Sequence, residues 1–308
     1  MSAPVPPLPS PPAAARGLDL VALGLGLAFA LMWSSAFTSA RMIVADAPPL
    51  TALAVRFLLA GAIGVGLARA LGQRARLSTS QWKATAIFGL CQNGLYLGLY
   101  FVAMQTIEAG LASIVASTMP LVVAAAGWAL RGERLRPLGL AGLAAGFCGV
   151  VLIMGARIGG GGVDPFGLTL AVIGVLALAW ATLTVHSATA GGNLLMIVGL
   201  QMFVGAAVLG VAALILESWE VTWSARLVWA FVYTTLVPGL VATWVWFLLV
   251  GRIGAVRAAT FHFLNPFFGV AIAAALLGEA LGWADIAGVA VIAAGILAVQ
   301  LSRQASRG

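Results

Sequence analysis

Charge is what this sequence has least of. Its 308 residues carry 16 Lys+Arg and 9 Asp+Glu, so 8% are charged, against about 25% in an ordinary soluble domain. With 62% hydrophobic residues and a mean hydropathy of +1.08, a water-soluble fold of this size lacks the polar surface to cover itself. A soluble enzyme and a disordered chain are excluded. Nucleic-acid binding is excluded as well, despite a net charge of +7, because it needs basic residues clustered on an exposed face. Two cysteines and two histidines do not make a disulfide framework or a metal cluster. Cys91 and Cys148 fall inside apolar runs and read as small packing residues, and no metal or other cofactor is expected. An ATP-binding motif is also lacking. Gly159–Gly162 looks like a phosphate loop but has no P-loop lysine and no preceding strand, so it reads as a flexible hinge and no ATPase partner is expected.

What the sequence has in abundance is long apolar runs. A transmembrane helix needs about 20 mostly apolar residues. Ten such runs are present: Leu18–Ile43, Leu50–Leu71, Trp82–Met104, Gly110–Leu130, Leu138–Ala156, Pro165–Ser187, Leu194–Leu216, Arg226–Val250, Val256–Leu277 and Trp283–Leu301. The runs are continuous rather than alternating, which argues against a membrane β-barrel. The expected fold class is an all-α integral membrane bundle of ten transmembrane helices in a lipid bilayer. Residues 1–17 form a Pro-rich leader that reads as disordered. It is no signal peptide, because no basic region opens it and the first apolar run is too long.

The sparse charges sort by side. With the N-terminus placed in the cytoplasm, 12 of the 16 basic residues fall on the cytoplasmic side and 7 of the 9 acids on the other, as the positive-inside rule requires. An even number of spans puts both termini on the cytoplasmic side.

The chain also repeats itself. Shifted by 146 residues, Tyr100–Val151 lies over Trp246–Leu297 without a gap, pairing Phe101 with Phe247, Ile107 with Ile253, Pro120 with Pro266, Gly132-Glu133 with Gly278-Glu279, and Gly149 with Gly295. A nearly equal offset sets Trp33 against Trp180. Halves of five helices enter the membrane from opposite sides, and the turns agree: Arg-Gly-Glu-Arg-Leu-Arg (131–136) on one side, Leu-Gly-Glu-Ala-Leu-Gly (277–282) on the other. Inverted repeats of this kind build transporters with a midplane site between the halves. The halves are expected at 18–157 and 164–302.

Two five-helix halves, each with a proline in its fourth helix and a Gly-Glu turn before its fifth, resemble the EamA-type halves of the drug/metabolite transporter superfamily. Within it the chain is most similar to the ten-helix YddG-type exporters of aromatic amino acids. The resemblance implies a multi-pass protein of the bacterial inner (plasma) membrane that exports small solutes by alternating access. Aromatic and other neutral amino acids are the expected substrates; drugs, quaternary cations or other metabolites are the alternative. No enzyme activity is expected, because no nucleophile with its base, metal cluster or carboxylate pair is evident within the spans.

Polar and aromatic residues at membrane depth are the candidates for the binding site. Helix one offers Trp33 and Ser34; helix three offers Asn93, Tyr96 and Tyr100; helix four offers Ser117; helix six offers Trp180; helix eight offers Thr243 and Trp246; helix nine offers His262 and Asn265. Pro120 and Pro266 break the fourth and ninth helices, and Pro266 frees the carbonyl of His262 for a ligand, water or side chain. Trp33, Tyr96, Tyr100 and Trp180 are expected to stack on the solute, with the polar groups orienting it. Arg56, inside helix two, has two readings: it snorkels to the interface, or it meets a substrate carboxylate. His262 is either a proton relay or a satisfied neutral imidazole. Gly142-xxx-Gly146 and the Ala/Gly-rich tenth helix pack within the bundle or form a dimer seam.

Overall fold

A computed structural model of the chain describes residues 19–131, 136–159, 163–184, 194–253 and 258–305. The leader, the 132–135 turn, the 160–162 hinge and His186 lie outside the described residues. Ten helical segments follow one another. They are α1 (Leu20–Val44), α2 (Pro49–Ala70), α3 (Thr79–Ala103), α4 (Ala109–Ser117 and Met119–Arg131), α5 (Pro137–Gly159), α6 (Pro165–Thr184), α7 (Leu194–Leu216), α8 (Ala225–Ile253), α9 (Ala259–Leu277) and α10 (Trp283–Ala305). No strand occurs among the described residues. Six of the helices are long and apolar enough over their described residues to cross a membrane, and the other four are shorter apolar helices.

Local chemistry starts and stops them. The Asp19 carboxylate caps α1 by accepting from the Ala22 N–H at 3.1 Å. Pro49 opens α2, where its missing N–H costs nothing. Ser78 and Gln81 form a reciprocal capping box on α3. Gly278 ends α9 in the left-handed region at φ 69°, where a side chain would be strained.

The packing follows the repeat. α2 lies along α7, α5 along α10, and α4 crosses α9; α1 packs on α8 and α9, and α6 on α3 and α4. Exchanging each helix with the one five places on maps these contacts onto themselves. Mates run antiparallel. On α2 and α7, Leu50 meets Glu217 at one end, Gly61 meets Gly199 midway, and Gln73 meets Met196 at the other. On α5 and α10, Gly142 faces Gly295 and Gly149 faces Gly288. The protein is thus a membrane bundle of two inverted five-helix repeats.

Apolar side chains point outwards as well as inwards: Val55, Ile63, Leu214 and Trp229 are exposed, whereas Ser34, Thr38 and Ser113 are buried. That distribution suits a surrounding of lipid. Gly142 and Gly146 of α5 are spent inside the bundle, Gly142 against α10 and Gly146 against Leu121 of α4.

Polar contacts tie together the face opposite the chain ends. The Glu217 carboxylate accepts from the N–H groups of Leu50 (2.7 Å) and Thr51 (2.8 Å) and from Thr51 Oγ1 (2.8 Å). Glu279 accepts from the N–H groups of Ala109 (2.7 Å) and Gly110 (2.8 Å). Asp164 takes the Thr106 hydroxyl at 2.6 Å, and Arg41 donates to the Met104 carbonyl. Asp46 meets Arg226 at 2.7 Å and Ser224 Oγ at 2.7 Å.

The Arg226 guanidinium and then the Ser224 hydroxyl hold the Asp46 carboxyl below the usual carboxylate value. The Thr106 hydroxyl and then the Gly167 N–H do the same for Asp164. A lowered folded-state pKa stabilises at pH above the unfolded value and is lost as pH falls through the folded one. Thermal stability in nanodiscs is therefore expected to be flat above about pH 4 and to decline below it. Asp46→Asn should lower the plateau and flatten the decline; an unchanged acid limb would show that this clasp adds nothing.

Candidate binding cavity

Two helices widen at matching places. α3 is π-helical over Gly89–Leu97 and α8 over Thr235–Val241, and these stretches begin 146 residues apart, at the repeat offset. In α8 the cause is local: Pro238 sits inside the helix and has no N–H to donate. In α3, glycines let a neighbouring helix press in, since a Cβ added at Gly89 would lie 2.7 Å from the Gln201 carbonyl oxygen of α7. Such wide turns occur often at functional sites.

A cavity opens between them, offering about 60 Å³ to the centres of water-sized molecules, room for a few waters. Trp33, Phe37, Arg56, Gln92, Tyr96, Tyr100, Thr234 and Pro238 are among the residues lining it. α1, α2 and α3 of the first repeat and α8 of the second supply these walls. Tyr96 and Tyr100 pack ring on ring at 4.6 Å, and Phe37 lies 6.1 Å from Tyr100.

Arg56 faces inward. Only 7% of it is exposed, so it does not snorkel to the interface. Its Nε has no hydrogen-bond partner, and its guanidinium lies 5.3 Å from the Phe57 ring centre. The Tyr100 hydroxyl, on the same cavity, is also buried without a partner.

An aromatic cluster leads from Trp33 towards α9. Phe29 touches Trp33 at 5.7 Å, Trp246 at 4.8 Å and His262 at 5.2 Å, and Trp246 stands 5.3 Å from His262. The Asn265 side-chain amide meets His262 Nδ1 at 2.9 Å. The carbonyl that Pro266 leaves without its usual donor is not free: the Asn265 N–H takes His262 O in a tight 3₁₀ turn over Ala259–Leu264.

The Asn265 carbonyl accepts from Ser34 Oγ (3.2 Å) and Ser113 Oγ (3.3 Å), joining α1, α4 and α9. Near this node, Gly269 lets α9 press directly on Ser113. α4 breaks at Thr118, just before Pro120, with Thr118 Oγ1 donating to the Val115 carbonyl at 2.6 Å.

The expected site residues thus divide. Trp33, Tyr96 and Tyr100 meet at one cavity, with Trp246 and His262 in the adjoining cluster. Ser34 and Asn265 bond each other at the helix crossing. The Ser117 hydroxyl returns to the Ser113 carbonyl at 2.7 Å, and that of Thr243 to the Gly239 carbonyl at 2.8 Å. Asn93 turns to the Gln201 carbonyl at 3.0 Å and so anchors α3 to α7.

Trp180 is 58% exposed and does not share the cavity with Trp33. The offset explains it. At 146 residues the mate of Trp33 is Ala179, which is buried at 3%, and one further residue turns the side chain by about 100° around the helix. Phe29 and Thr234 were not candidates on sequence; an apolar run gives a lone Phe or Thr no distinguishing mark. No cluster of His, Cys, Asp or Glu able to hold a metal occurs among the described residues.

Residues 20–155 and again 165–301 match the EamA-like transporter family. The chain belongs to that family. Among its relatives, a Bacillus subtilis protein named uncharacterized transporter YvbV is 27% identical over 90% of both chains. The aromatic amino acid exporter YddG of Ancylobacter novellus is 31% identical over 46% of this chain and 48% of its own. A probable amino-acid metabolite efflux pump of Salmonella typhimurium is 25% identical over 88% of this chain and 92% of its own. A solved crystal structure shares the fold, with a TM-score of 0.65 over 92% of this chain and 98% of the other at 24% identity. This EamA-like chain is a multi-pass membrane transporter.

Proposed function

We propose that this transporter exports aromatic and other neutral amino acids by alternating access, the halves 18–157 and 164–302 rocking about the cavity. One observation carries the reading: Trp33, Tyr96 and Tyr100 converge on a cavity set between two matched π-helical stretches. Their rings suit an aromatic or apolar side chain. The names of the Ancylobacter and Salmonella relatives support the same class. The positive-inside rule supports cytoplasmic chain ends and the family resemblance supports a bacterial inner membrane; in this reading the clasped face is the external one.

Export in this reading is facilitated. The cavity wall includes no Asp or Glu, and His262, packed between Phe29 and Trp246, is the one proton carrier offered.

Counterflow in proteoliposomes tests the proposal. Labelled tryptophan should accumulate transiently in vesicles loaded with unlabelled tryptophan, and Tyr96→Ala and Tyr100→Ala should each lower the rate about tenfold. Absence of counterflow for every aromatic amino acid, alongside counterflow of methyl viologen, would replace the amino-acid reading with the cation one. A strict requirement for a pH gradient would overturn the facilitated mechanism.

A further inference from the structure

Two residues that line one cavity carry buried polar atoms without a hydrogen-bond partner, Arg56 Nε and Tyr100 Oη. Arg56 is more than nine-tenths buried, and no carboxylate pairs with it among the described residues. A guanidinium cannot discharge itself by losing its proton, so it stays charged where water is scarce. Isolated charges at membrane depth are costly and mark functional positions. The surroundings keep the place for it. α8 presents Gly239, whose added Cβ would stand 3.4 Å from Arg56 Nη2, and the π-helical turn holds that backbone beside the guanidinium. Tyr100, a second residue of the same lining, has a buried hydroxyl without a hydrogen-bond partner.

We propose that Arg56 and the Tyr100 hydroxyl form a carboxylate subsite of the central cavity, so that the transported solutes are aromatic carboxylates. The guanidinium presents a planar fork that matches two carboxylate oxygens, and the phenol donates a further hydrogen bond. The Tyr96, Phe37 and Trp33 rings then face the apolar part of the solute. A quaternary cation is repelled from the same place. The proposal deepens the reading above by naming the group of the solute that is recognised, and two sources share that chemistry: an amino acid, or an aromatic acid without an amine.

Calorimetric titration of the full-length protein in nanodiscs with phenylacetate, phenylacetamide and phenylalanine separates the cases. Wild type should favour phenylacetate over its neutral amide by about tenfold or more. Arg56→Gln should erase that preference. Arg56→Lys should keep part of it, as a point charge without the fork, and Tyr100→Phe should reduce it severalfold.

Unliganded Arg56→Gln should also melt no lower than wild type, since it removes an uncompensated buried charge; a structural arginine would give a lower melting temperature. The subsite is overturned if wild type shows no carboxylate preference, if Arg56→Gln retains it, or if that variant is simply destabilised. Arg56-dependent binding of phenylacetate without binding of phenylalanine would uphold the subsite and reject the amino-acid reading.

Discussion

Gly295→Val is expected to abolish accumulation of folded protein in the membrane. A Cβ at position 295 would lie 2.6 Å from the Gly142 carbonyl oxygen, 2.7 Å from the Gly146 nitrogen and 2.9 Å from the Gly146 Cα. All three are backbone atoms of α5. Carbon atoms sit comfortably at about 3.5–4 Å, so no rotamer change relieves the contact and the two helices must part. The parting spreads, because Gly149 meets Gly288 in the same way one step along the seam. Overpacking a core with an adaptable neighbour costs about 1–3 kcal/mol, and a backbone neighbour sets that as a lower bound. Within a bilayer, close packing is the main force between helices, and lipid supplies no hydrophobic replacement for it. Gly155→Ala and Gly210→Ala, whose Cβ would meet nothing within 4 Å, should accumulate like wild type. Fluorescence-detected size exclusion of detergent extracts reads the outcome. A monodisperse Gly295→Val peak with the wild-type melting temperature would refute the account of the seam.

Glu217→Ala combined with Glu279→Ala is expected to open the clasped face. Each carboxylate belongs to the second repeat and caps a helix of the first, α2 for Glu217 and α4 for Glu279. The arrangement places a negative charge on the N-terminal N–H groups, where the helix dipole favours it. Hydrogen bonds to a charged group contribute about 1.5–3 kcal/mol each, and about 1.4 kcal/mol is tenfold in an equilibrium. Moving the repeats apart on this face must break both caps. The double variant should therefore raise access to the cavity from that face by about tenfold or more.

Ala36, on the cavity wall, gives the readout. In a protein with Cys91 and Cys148 replaced by serine, Ala36→Cys should react faster with an impermeant thiol reagent from the clasped side when the two glutamates are gone. Unchanged or slower labelling would mean that the caps do not hold the gate.

Much of this was legible in the chain. Low charge and uninterrupted apolar length dictate a lipid environment and ten helices, because a bilayer admits no other backbone solution for such runs. The 146-residue offset dictates which helices are mates, and the arginine-rich and arginine-free turns dictate that the second half is inverted. Tyr96 and Tyr100 stood out as aromatic side chains with a polar tip at membrane depth.

What only the tertiary structure decided is where each polar side chain spends its bonds. Helices that are apolar all round carry little contrast between their faces, so the usual periodic signal for an inward side is weak. That is why the sequence did not reveal that Trp180 lies on the exposed face or that Arg56 turns inward. The π-helical stretches also shift the phase of α3 and α8, which residue counting at 3.6 per turn does not register. Ser34 meets the Asn265 carbonyl 231 positions away, an encounter set by the crossing of α1 and α9. Sequence determined the helices, their number and their pairing through length, hydropathy and repetition. The cavity and its unpaired cation arise from how those helices approach one another, since a hydroxyl or guanidinium takes its role from what stands opposite.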